Sequence, residues 1–314
     1  MTNMDYKFYR LTKEHYPDLC RISLSAFGFD PGIEYYEKKN ATDYLNHSNL
    51  GYIAYAEDGE PAAFYGVYAY PVILDGVKIV AVQSGDTMTH KNHTGKGLFT
   101  TLAKLTYELA KNEGVDFVFG FPNYNSYPGF VKKLNWICPE TLVEYRAKVT
   151  TIPLMKLAKK VKLFNPLYRL HYRLVLKLFA KQAELGFNAS PIDKDVGSVD
   201  RVEEYLKYKS VSGCEFIELN DCKIWVKPDG FFMIGDFERS ENLNYQSTWN
   251  KLKRLAVILG ADVVVFQCMK NTFLDNKFSE FLSRSEALPF GYLNLSERVD
   301  PAKFKFVLGD VDTF

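Results

Sequence analysis

The residues best suited to chemistry lie in one stretch, Thr87-Met-Thr-His-Lys-Asn-His-Thr-Gly-Lys-Gly-Leu-Phe99. It reads as a strand end, a glycine-rich loop and the start of a helix. The first N–H groups of a helix have no intrahelical acceptor, and the helix dipole adds partial positive charge there. Glycines let an anion approach the backbone closely, and Lys96 adds a full charge. The stretch therefore predicts a diphosphate site, although Gly-Lys-Gly alone also fits a plain turn before a helix.

The loop differs from two well-known nucleotide motifs. It is too short for the GxxxxGK[ST] pattern, and it lacks the GxGxxG pattern of dinucleotide-binding proteins. The elements around it must therefore decide which phosphate compound it binds.

Alternating strand and helix signals surround the loop. Residues 6–10 read as a strand, and residues 15–27 carry apolar side chains at helical spacing. Three strand-like runs follow at 51–56, 62–74 and 77–89, separated by Asp58-Gly59 and Asp75-Gly76, which are typical of tight hairpin turns. The front of this region is therefore predicted to be an antiparallel meander.

A helix and a buried strand follow the loop. Leu98, Leu102, Leu105 and Leu109 mark a helix face, and Glu113-Gly114 ends that helix. Residues 115–121 are largely apolar, as in a strand buried on both faces. A strand, a helix and a strand in this order predict a right-handed crossover and a parallel pair within a mixed sheet.

This order of elements, followed by Pro122-Asn-Tyr-Asn-Ser-Tyr-Pro-Gly-Phe-Val-Lys-Lys-Leu-Asn-Trp136, resembles the GNAT superfamily of N-acetyltransferases over residues 5–145. Residues 89–97 look like the acetyl-CoA loop of that family, and residues 123–136 look like its asparagine-led helix. The resemblance implies acetyl-CoA as the donor and no metal. It places the donor at Thr87, Met88, Thr89, His93, Thr94, Gly95, Lys96, Gly97, Leu98, Asn123, Ser126 and Phe130.

The resemblance also implies a direct attack of an amine on the thioester. The strand that carries residues 87–89 would splay from its neighbour and leave backbone groups for pantetheine and the oxyanion. Asp86 and His90 are the candidate bases, although Asp86 can also hold the strand end and His90 can be a loop residue bonded to backbone. Phe130 stands roughly where the family often has an acidic tyrosine, so Tyr127, Tyr124 or water is expected to protonate the thiolate.

Two further positions depart from the family pattern. Thr94 stands where the family usually has Arg or Gln, which predicts the loss of one side-chain contact to phosphate. Phe99 stands where Gly or Ala is usual, which predicts crowding in the first helical turn.

The second half of the chain repeats part of the first. Leu109-Ala110, Gly114 and Asp116 match Leu255-Ala256, Gly260 and Asp262 at an offset of 146 throughout, and Gly85-Asp86 matches Gly235-Asp236 at an offset of 150. At the loop, however, residues 240–245 read Ser-Glu-Asn-Leu-Asn-Tyr, with no glycine and an added carboxylate. The second copy is therefore expected not to bind CoA.

The predicted fold class is α/β, of the α+β type, with two tandem GNAT-like domains. Each domain is expected to hold a mixed, mostly antiparallel sheet flanked by helices. The predicted bounds are 1–145 for the acyl-CoA-binding domain, 146–190 for a basic helical linker and 191–314 for the degenerate second domain.

The linker has an unusual composition. Ten Lys or Arg residues and no Asp or Glu lie between residues 145 and 183, interleaved with leucines. The simplest interpretation is a helical pair whose apolar face packs on the two cores. Peripheral membrane contact through residues 146–182 and binding of an anionic acceptor are the alternatives.

Composition excludes several classes of protein. The net charge of +1 does not favour nucleic acid, and the five cysteines form no CxxC pair, which disfavours disulfides and zinc. The polar N-terminus does not resemble a signal peptide, and no run approaches the roughly 18 apolar residues of a membrane span. We therefore expect a cytoplasmic protein.

Three functions stay open at this point. The first is an acetyl-CoA-dependent N-acyltransferase with a small-molecule or saccharide amine as acceptor. The second is a Fem-like aminoacyl transferase, which the Gly-Lys-Gly loop disfavours. The third is a CoA-binding or scaffold protein that has lost turnover, which the substitutions at Thr94, Phe99 and Phe130 favour.

Overall fold

A computed structural model describes residues 6–186, 195–211 and 213–314. The polar start of the chain and the predicted boundary near residue 190 lie outside these ranges. The chain forms two compact units. Unit 1 contains the residues up to Val72, then Val77–Pro139 and Phe290–Ala302, and unit 2 contains Ile73–Gly76, Glu140–Pro289 and Lys303–Phe314. Residues 140–186 fall within unit 2 and residues 290–302 within unit 1, and the linker bounds of 146–190 stay a prediction.

Unit 1 holds the elements that the sequence places around the loop. Its strands are β1 (Lys7–Arg10), β2 (Leu50–Tyr55), β3 (Pro61–Leu74), β4 (Val77–Thr89) and β5 (Phe117–Gly120). Its helices are α1 (Tyr16–Phe27), α2 (Ile33–Lys39), α3 (Leu98–Asn112) and α4 (Tyr127–Leu134). The predicted meander, helix and buried strand are confirmed, whereas α2 was not predicted.

The hairpin between β3 and β4 shows why the turn prediction holds. Asp75 and Gly76 both have positive φ, 50° and 81°. A two-residue turn with both residues in this region matches the right-handed twist of the strands that it joins.

The unit 1 sheet runs in the order β1, β2, β3, β4, β5. The pairs β1–β2 and β2–β3 are antiparallel, β4 and β5 are parallel, and residues 291–294 pair antiparallel with β5. Alternate residues of the strands face two cores. One core joins Phe64 and Met88 to α1 and Tyr36 of α2, and the other joins Tyr65 and Val82 to α3 and α4.

Unit 2 has a comparable set of elements. Its strands are β6 (Ile137–Lys148), β7 (Lys181–Gln182), β8 (Ser198–Val199), β9 (Glu215–Leu219), β10 (Cys222–Pro228), β11 (Phe232–Phe237), β12 (Val263–Met269) and β13 (Ser285–Asn294), of which β6 and β13 continue into unit 1. Its helices are α5 (Leu154–Lys160), α6 (Asn165–Phe179), α7 (Glu203–Ser210), α8 (Tyr245–Leu259) and α9 (Phe273–Ser279). The sheet order is β6, β12, β11, β10, β9, β7, with β11 and β12 parallel.

The basic segment forms the two predicted helices, α5 and α6. Tyr168, Tyr172, Val175 and Leu176 of α6 are buried in the core of unit 2. Leu170, Leu174 and Leu178, which were expected to pack on the cores, are exposed, and so is Leu167. That interpretation is wrong for the leucine face.

Two further observations bear on the composition-based expectations. None of the helices in the described ranges is both long and apolar enough to cross a membrane. All five cysteines have free thiols, and four of them are buried.

Candidate active site

The pairing of β4 with β5 covers only part of β4. The two strands pair at Ala81–Phe117, Val82–Val118 and Gln83–Phe119. Strand β5 ends at Gly120, whereas β4 continues to Thr89, and the N–H of His90 donates to Ala62 of β3 at 2.8 Å. We call the region beside residues 84–89 of β4, past the end of β5, the wedge. The splay predicted at residues 87–89 stays a prediction.

The glycine loop lies at the end of β4. Residues 94–97 are all exposed, and α3 begins at Leu98 directly after them. Gly95 and Gly97 have φ of +76° and +78°, and no atom lies within 4 Å of the position that a Cβ would take. These glycines therefore leave open space next to the backbone at a helix N-terminus, which is the arrangement that an anion requires.

His93 fixes the position of this loop through contacts of its buried side chain. Its side chain is buried, and its Nδ1 and Nε2 lie 2.9 Å from the Tyr6 hydroxyl and 2.7 Å from Glu60 Oε2. The bond from His93 lowers the pKa of Glu60. His93 thus contributes through the position of the loop, since its imidazole already contacts two partners.

His90 faces the same carboxylate. Its Nε2 lies 3.8 Å from Glu60 Oε1, and its Nδ1 accepts the N–H of Asn92 at 3.4 Å. The possible ligand atoms of Glu60, His90 and His93 lie within 4.8 Å of one another, which is compatible with a metal ion. Because the N–H of Asn92 points at Nδ1, Nε2 is the His90 nitrogen that faces Glu60.

Asp86 lies within the splayed part of β4 with a φ of +49°, which is rare for a residue other than glycine in a strand. Its carboxylate accepts the Tyr35 hydroxyl at 2.8 Å and the Tyr68 hydroxyl. Lys39 Nζ lies 3.8 Å from the same carboxylate and over both rings, 5.5 Å from the centroid of Tyr35 and 4.8 Å from that of Tyr68. Two tyrosines and a carboxylate therefore surround an ammonium group.

This Asp86 cluster lies on the α1 and α2 side of the sheet. Met88, two residues further along β4, is buried in the core of that side, where the Tyr36 hydroxyl lies 3.9 Å from its Sδ. Burial and then the charge of Asp86 raise the pKa of Tyr36. The glycine loop lies at the start of α3, which packs on the opposite side of the sheet. The Asp86 cluster and the glycine loop therefore lie on different faces of the sheet.

The helix after β5 supplies the remaining candidates. Asn123 Oδ1 accepts the N–H groups of Asn125 and Ser126, which forms the turn into α4. Tyr127 is the first residue of α4 and is partly exposed, at 37 %, whereas Tyr124 is exposed at 94 %.

Four of the predicted donor-site residues have buried side chains, His93 among them. Leu98 and Phe130 belong to the core of the α3 side, and Met88 to that of the α1 side. Any contact of Leu98 with a ligand would therefore come from its backbone.

Phe99 packs toward α4 rather than into the loop. Its ring lies 5.3 Å from that of Phe130, and a Cβ on Gly129 would lie 3.0 Å from it. Phe130 in turn lies 4.4 Å from Trp136. The predicted crowding at the helix start is wrong, because the side chain fills a gap between two helices.

An open cleft of about 370 Å³ lies next to the loop. It is lined by Arg21, Leu24, Ser25, Glu60, Pro61, His90 and Lys91. The cleft brings the α1 surface and the end of β4 together, so it gives access to His90 from the solvent.

Sequence reasoning missed Tyr35, Lys39, Glu60 and Tyr68. They precede Thr87, the first residue of the motif, by 19 to 52 positions, and nothing in their local pattern marks them. The acidic turn at Asp58-Gly59 was identified only as a hairpin.

Comparison with known proteins agrees with this geometry. Residues 7–138 match the family model described as an acetyltransferase (GNAT) domain. A search of curated proteins finds no match.

Solved structures extend the likeness to nearly the whole chain. A GCN5-related N-acetyltransferase from Kribbella flavida has a TM-score of 0.58 at 11% identity, covering 92% of this chain and 71% of its own. A putative acetyltransferase from Pyrococcus horikoshii has a TM-score of 0.55 at 15% identity, covering 98% and 94%. A probable N-acyltransferase from Enterococcus faecalis has a TM-score of 0.56 at 14% identity, covering 93% and 73%.

Proposed function

We propose that unit 1, whose residues 7–138 form a GNAT acetyltransferase domain, is an acetyl-CoA-dependent N-acyltransferase. It would transfer an acetyl group to an amine of a small molecule or saccharide by direct attack. The observation that carries the proposal is the wedge beside the end of β4, with an open glycine loop at the same end.

The donor is expected to enter from the α3 side. The diphosphate of CoA would accept N–H groups of residues 94–98, with Lys96 adding charge, and pantetheine would pair with the exposed edge of residues 87–89. Asn123 and Ser126 would border the same channel from α4. The thioester carbonyl would then receive backbone N–H groups in the wedge, where the oxyanion develops.

The acceptor is expected to enter from the α1 and α2 side. Asp86 already receives two tyrosine hydroxyls and faces an ammonium, so it is suited to holding a cationic amine near the wedge. The same contacts occupy both oxygens of its carboxylate. His90 is the better proton acceptor in this proposal, once its 3.4 Å contact with Asn92 opens.

Bond changes in the transfer are simple. The acceptor ammonium first loses one proton toward His90, which frees the lone pair of the nitrogen. The neutral amine then forms a bond to the acetyl carbon, and the bond from that carbon to sulfur breaks after the tetrahedral intermediate. The nitrogen releases its second proton to solvent. Tyr127, at the start of α4, is the proposed donor of a proton to the CoA thiolate, and it regains that proton from solvent.

Calorimetric titration with acetyl-CoA tests the donor site. We expect Gly95→Asp to weaken binding about 100-fold, because it places a carboxylate where phosphate must lie. Gly114→Asp is the matched control. Gly114 also has a positive φ (+84°) and no atom near its Cβ position, but it lies at the other end of α3. Absence of binding to the unmodified protein, or equal losses in both variants, would refute the donor site.

Turnover needs a separate assay. The rate at which the CoA thiol is released is measured with a panel of small amines and amino sugars. For at least one of them we expect this rate to exceed the rate without an amine. Binding of acetyl-CoA without release for any amine would support the alternative of a non-catalytic CoA-binding protein, which the buried Phe130 favours.

A further inference from the structure

Helix α6 of unit 2 has two apolar faces. Tyr168, Tyr172, Val175 and Leu176 form the face that is buried in the core. The second face consists of Leu167, Leu170, Leu174 and Leu178, which we call the leucine stripe. These positions follow each other at intervals of three or four residues, which places them on one side of a helix.

The leucine stripe is open to solvent. Its members are exposed at 63%, 57%, 52% and 75%, and Leu163, just before α6, is exposed at 92%. Soluble proteins rarely leave a contiguous row of leucines uncovered, and such rows mark protein or membrane contacts.

A row of cations runs beside the leucine stripe. Arg169, Arg173 and Lys177 are exposed and spaced by four residues, so they also form one line along α6. At 100° per residue this line borders the leucine stripe on one side. No Asp or Glu occurs between residues 145 and 183, so this segment contains no acid to neutralise the row.

We propose that α6 binds the surface of an anionic lipid bilayer, with the leucine stripe among the acyl chains and the cations at the headgroups. A helix with a charged face and low net hydrophobicity lies in the plane of the interface in this way. No described helix meets the criteria for a span, so α6 would lie on the bilayer. This inference is independent of acyl transfer in unit 1.

The alternative occupant is a second copy of the chain. An antiparallel contact through the leucine stripe would cover the leucines, but it would also bring two rows of Arg169, Arg173 and Lys177 together along one edge. Like charges at short distance oppose such pairing. A parallel contact would put the rows on opposite edges and supply no counter-charge to either. Anionic headgroups satisfy both the apolar and the charged row, and for this reason we favour the lipid surface.

Vesicle flotation of the full chain tests the proposal. We expect it to float with vesicles of phosphatidylcholine and phosphatidylglycerol, and much less with phosphatidylcholine alone or in high salt. Arg169→Gln with Arg173→Gln should weaken partitioning about 30-fold, at about fivefold for each lost charge. Lys104→Gln with Lys111→Gln on α3 is the control of equal charge change, since both lysines are exposed.

The apolar part has its own matched pair. Leu170→Gln with Leu174→Gln should lower partitioning about tenfold or more. Val77→Gln with Val211→Gln should not, although these valines are exposed to a similar extent, at 59% and 52%. Thermal unfolding of each variant in the absence of vesicles separates a lost contact from a lost fold.

Three outcomes overturn the proposal. The first is no flotation of the unmodified chain, and the second is equal flotation with neutral and anionic vesicles. The third is a dimer in sedimentation that Leu170→Gln with Leu174→Gln dissolves while vesicle binding is absent, which would assign the leucine stripe to a second copy.

Discussion

The two units have similar parallel strand pairs, but one is open at its end and the other is covered by chain. In unit 1, β4 and β5 pair in parallel at three positions, β4 continues past the end of β5, and the glycine loop lies open beside the wedge. In unit 2, β11 and β12 also pair in parallel at three positions. There, however, residues 306–314 lie against the strands. Cys268 bridges Val307, and a Cβ on Gly235 would lie 2.4 Å from the ring of Phe314.

The helices that follow the strands show the same contrast. Helix α3 begins after Gly97, whereas α8 begins after Asn244, whose side chain accepts the N–H of Ser247. A helix start that is capped by its own side chain offers fewer donors to phosphate. Helices α4 and α9 follow N-caps Ser126 and Thr272, and their first residues are Tyr127 and Phe273. The position proposed to donate a proton therefore has no hydroxyl in unit 2.

The Gly-Asp pair common to both units also differs in its surroundings. Asp86 receives two tyrosines and Lys39 with partial exposure. Asp236 is fully buried, and Arg201 lies 3.2 Å from it and 2.8 Å from Asp310. Burial raises the pKa of Asp236, against the effect of Arg239 and Arg201. The contrast indicates that one unit keeps a polar opening where the other has a closed core.

The largest expected effect comes from breaking the closed core. Arg201→Leu would remove the cation that the buried carboxylates of Asp236 and Asp310 share, at a cost of about 3–5 kcal/mol. Lys39→Met in unit 1 should cost about 1 kcal/mol, because Asp86 keeps its two tyrosine hydroxyls. Urea unfolding followed by tryptophan fluorescence measures both, with Trp225 beside Arg201 as a reporter of unit 2. Equal losses would show that the two carboxylates have equivalent surroundings.

Removal of the ring that fills unit 2 sharpens the comparison. Phe314 is fully buried against Trp225 and Gly235, so Phe314→Ala should cost about 3–4 kcal/mol through the cavity that it leaves. Phe8→Ala, at an exposed phenylalanine, should cost less than about 0.5 kcal/mol. Phe314→Ala should create no new acetyl-CoA site, because residues 240–245 contain no glycine. A second binding event in this variant would contradict that reasoning.

A substitution at Tyr127 tests the difference between the first residues of α4 and α9, a tyrosine in unit 1 and Phe273 in unit 2. We expect Tyr127→Phe to lower kcat about 100-fold if the hydroxyl protonates the thiolate, with the Kd for acetyl-CoA unchanged. Tyr124→Phe is the matched control, because Tyr124 lies three residues before Tyr127 and is almost fully exposed. This variant should keep kcat within about twofold of that of the unmodified protein. A loss of affinity without a loss of kcat would reassign Tyr127 to donor binding.

The smallest effect concerns pH. The bond from His93 lowers the pKa of Glu60 in the folded chain, so ionised Glu60 contributes stability above the ordinary glutamate pKa of 4.5. That contribution is lost as pH falls through the lower, folded pKa. Glu60→Gln should therefore lower Tm at neutral pH and converge on the unmodified protein in acid. A difference in Tm that stays constant with pH would rule out the ionised carboxylate as its source.

Local signals in the sequence were sufficient for much of unit 1. Hydrophobic periodicity, Asp-Gly turns and Gly114 place β2 to β5 and α3 correctly, because those elements depend on neighbours along the chain. The opening at Gly95 and Gly97 follows from the same signals. The repeat at an offset of 146 likewise located α8, Gly260 and β12.

Contacts between distant residues lay beyond that reasoning. Tyr35 and Tyr68 reach Asp86 across 51 and 18 positions, and Glu60 reaches His93 across 33. Such pairs depend on strand register and helix placement, which no local pattern encodes. The prediction that these leucines pack on the cores was wrong for a related reason. The sequence of a helix with two apolar faces does not show which face is covered.

Calorimetric titration of the full chain with acetyl-CoA tests the central claim most directly. The account predicts one binding event per chain, weakened about 100-fold by Gly95→Asp and unchanged by Gly114→Asp. Two binding events per chain, or one that Gly95→Asp leaves intact, would contradict a donor site confined to the open loop of unit 1.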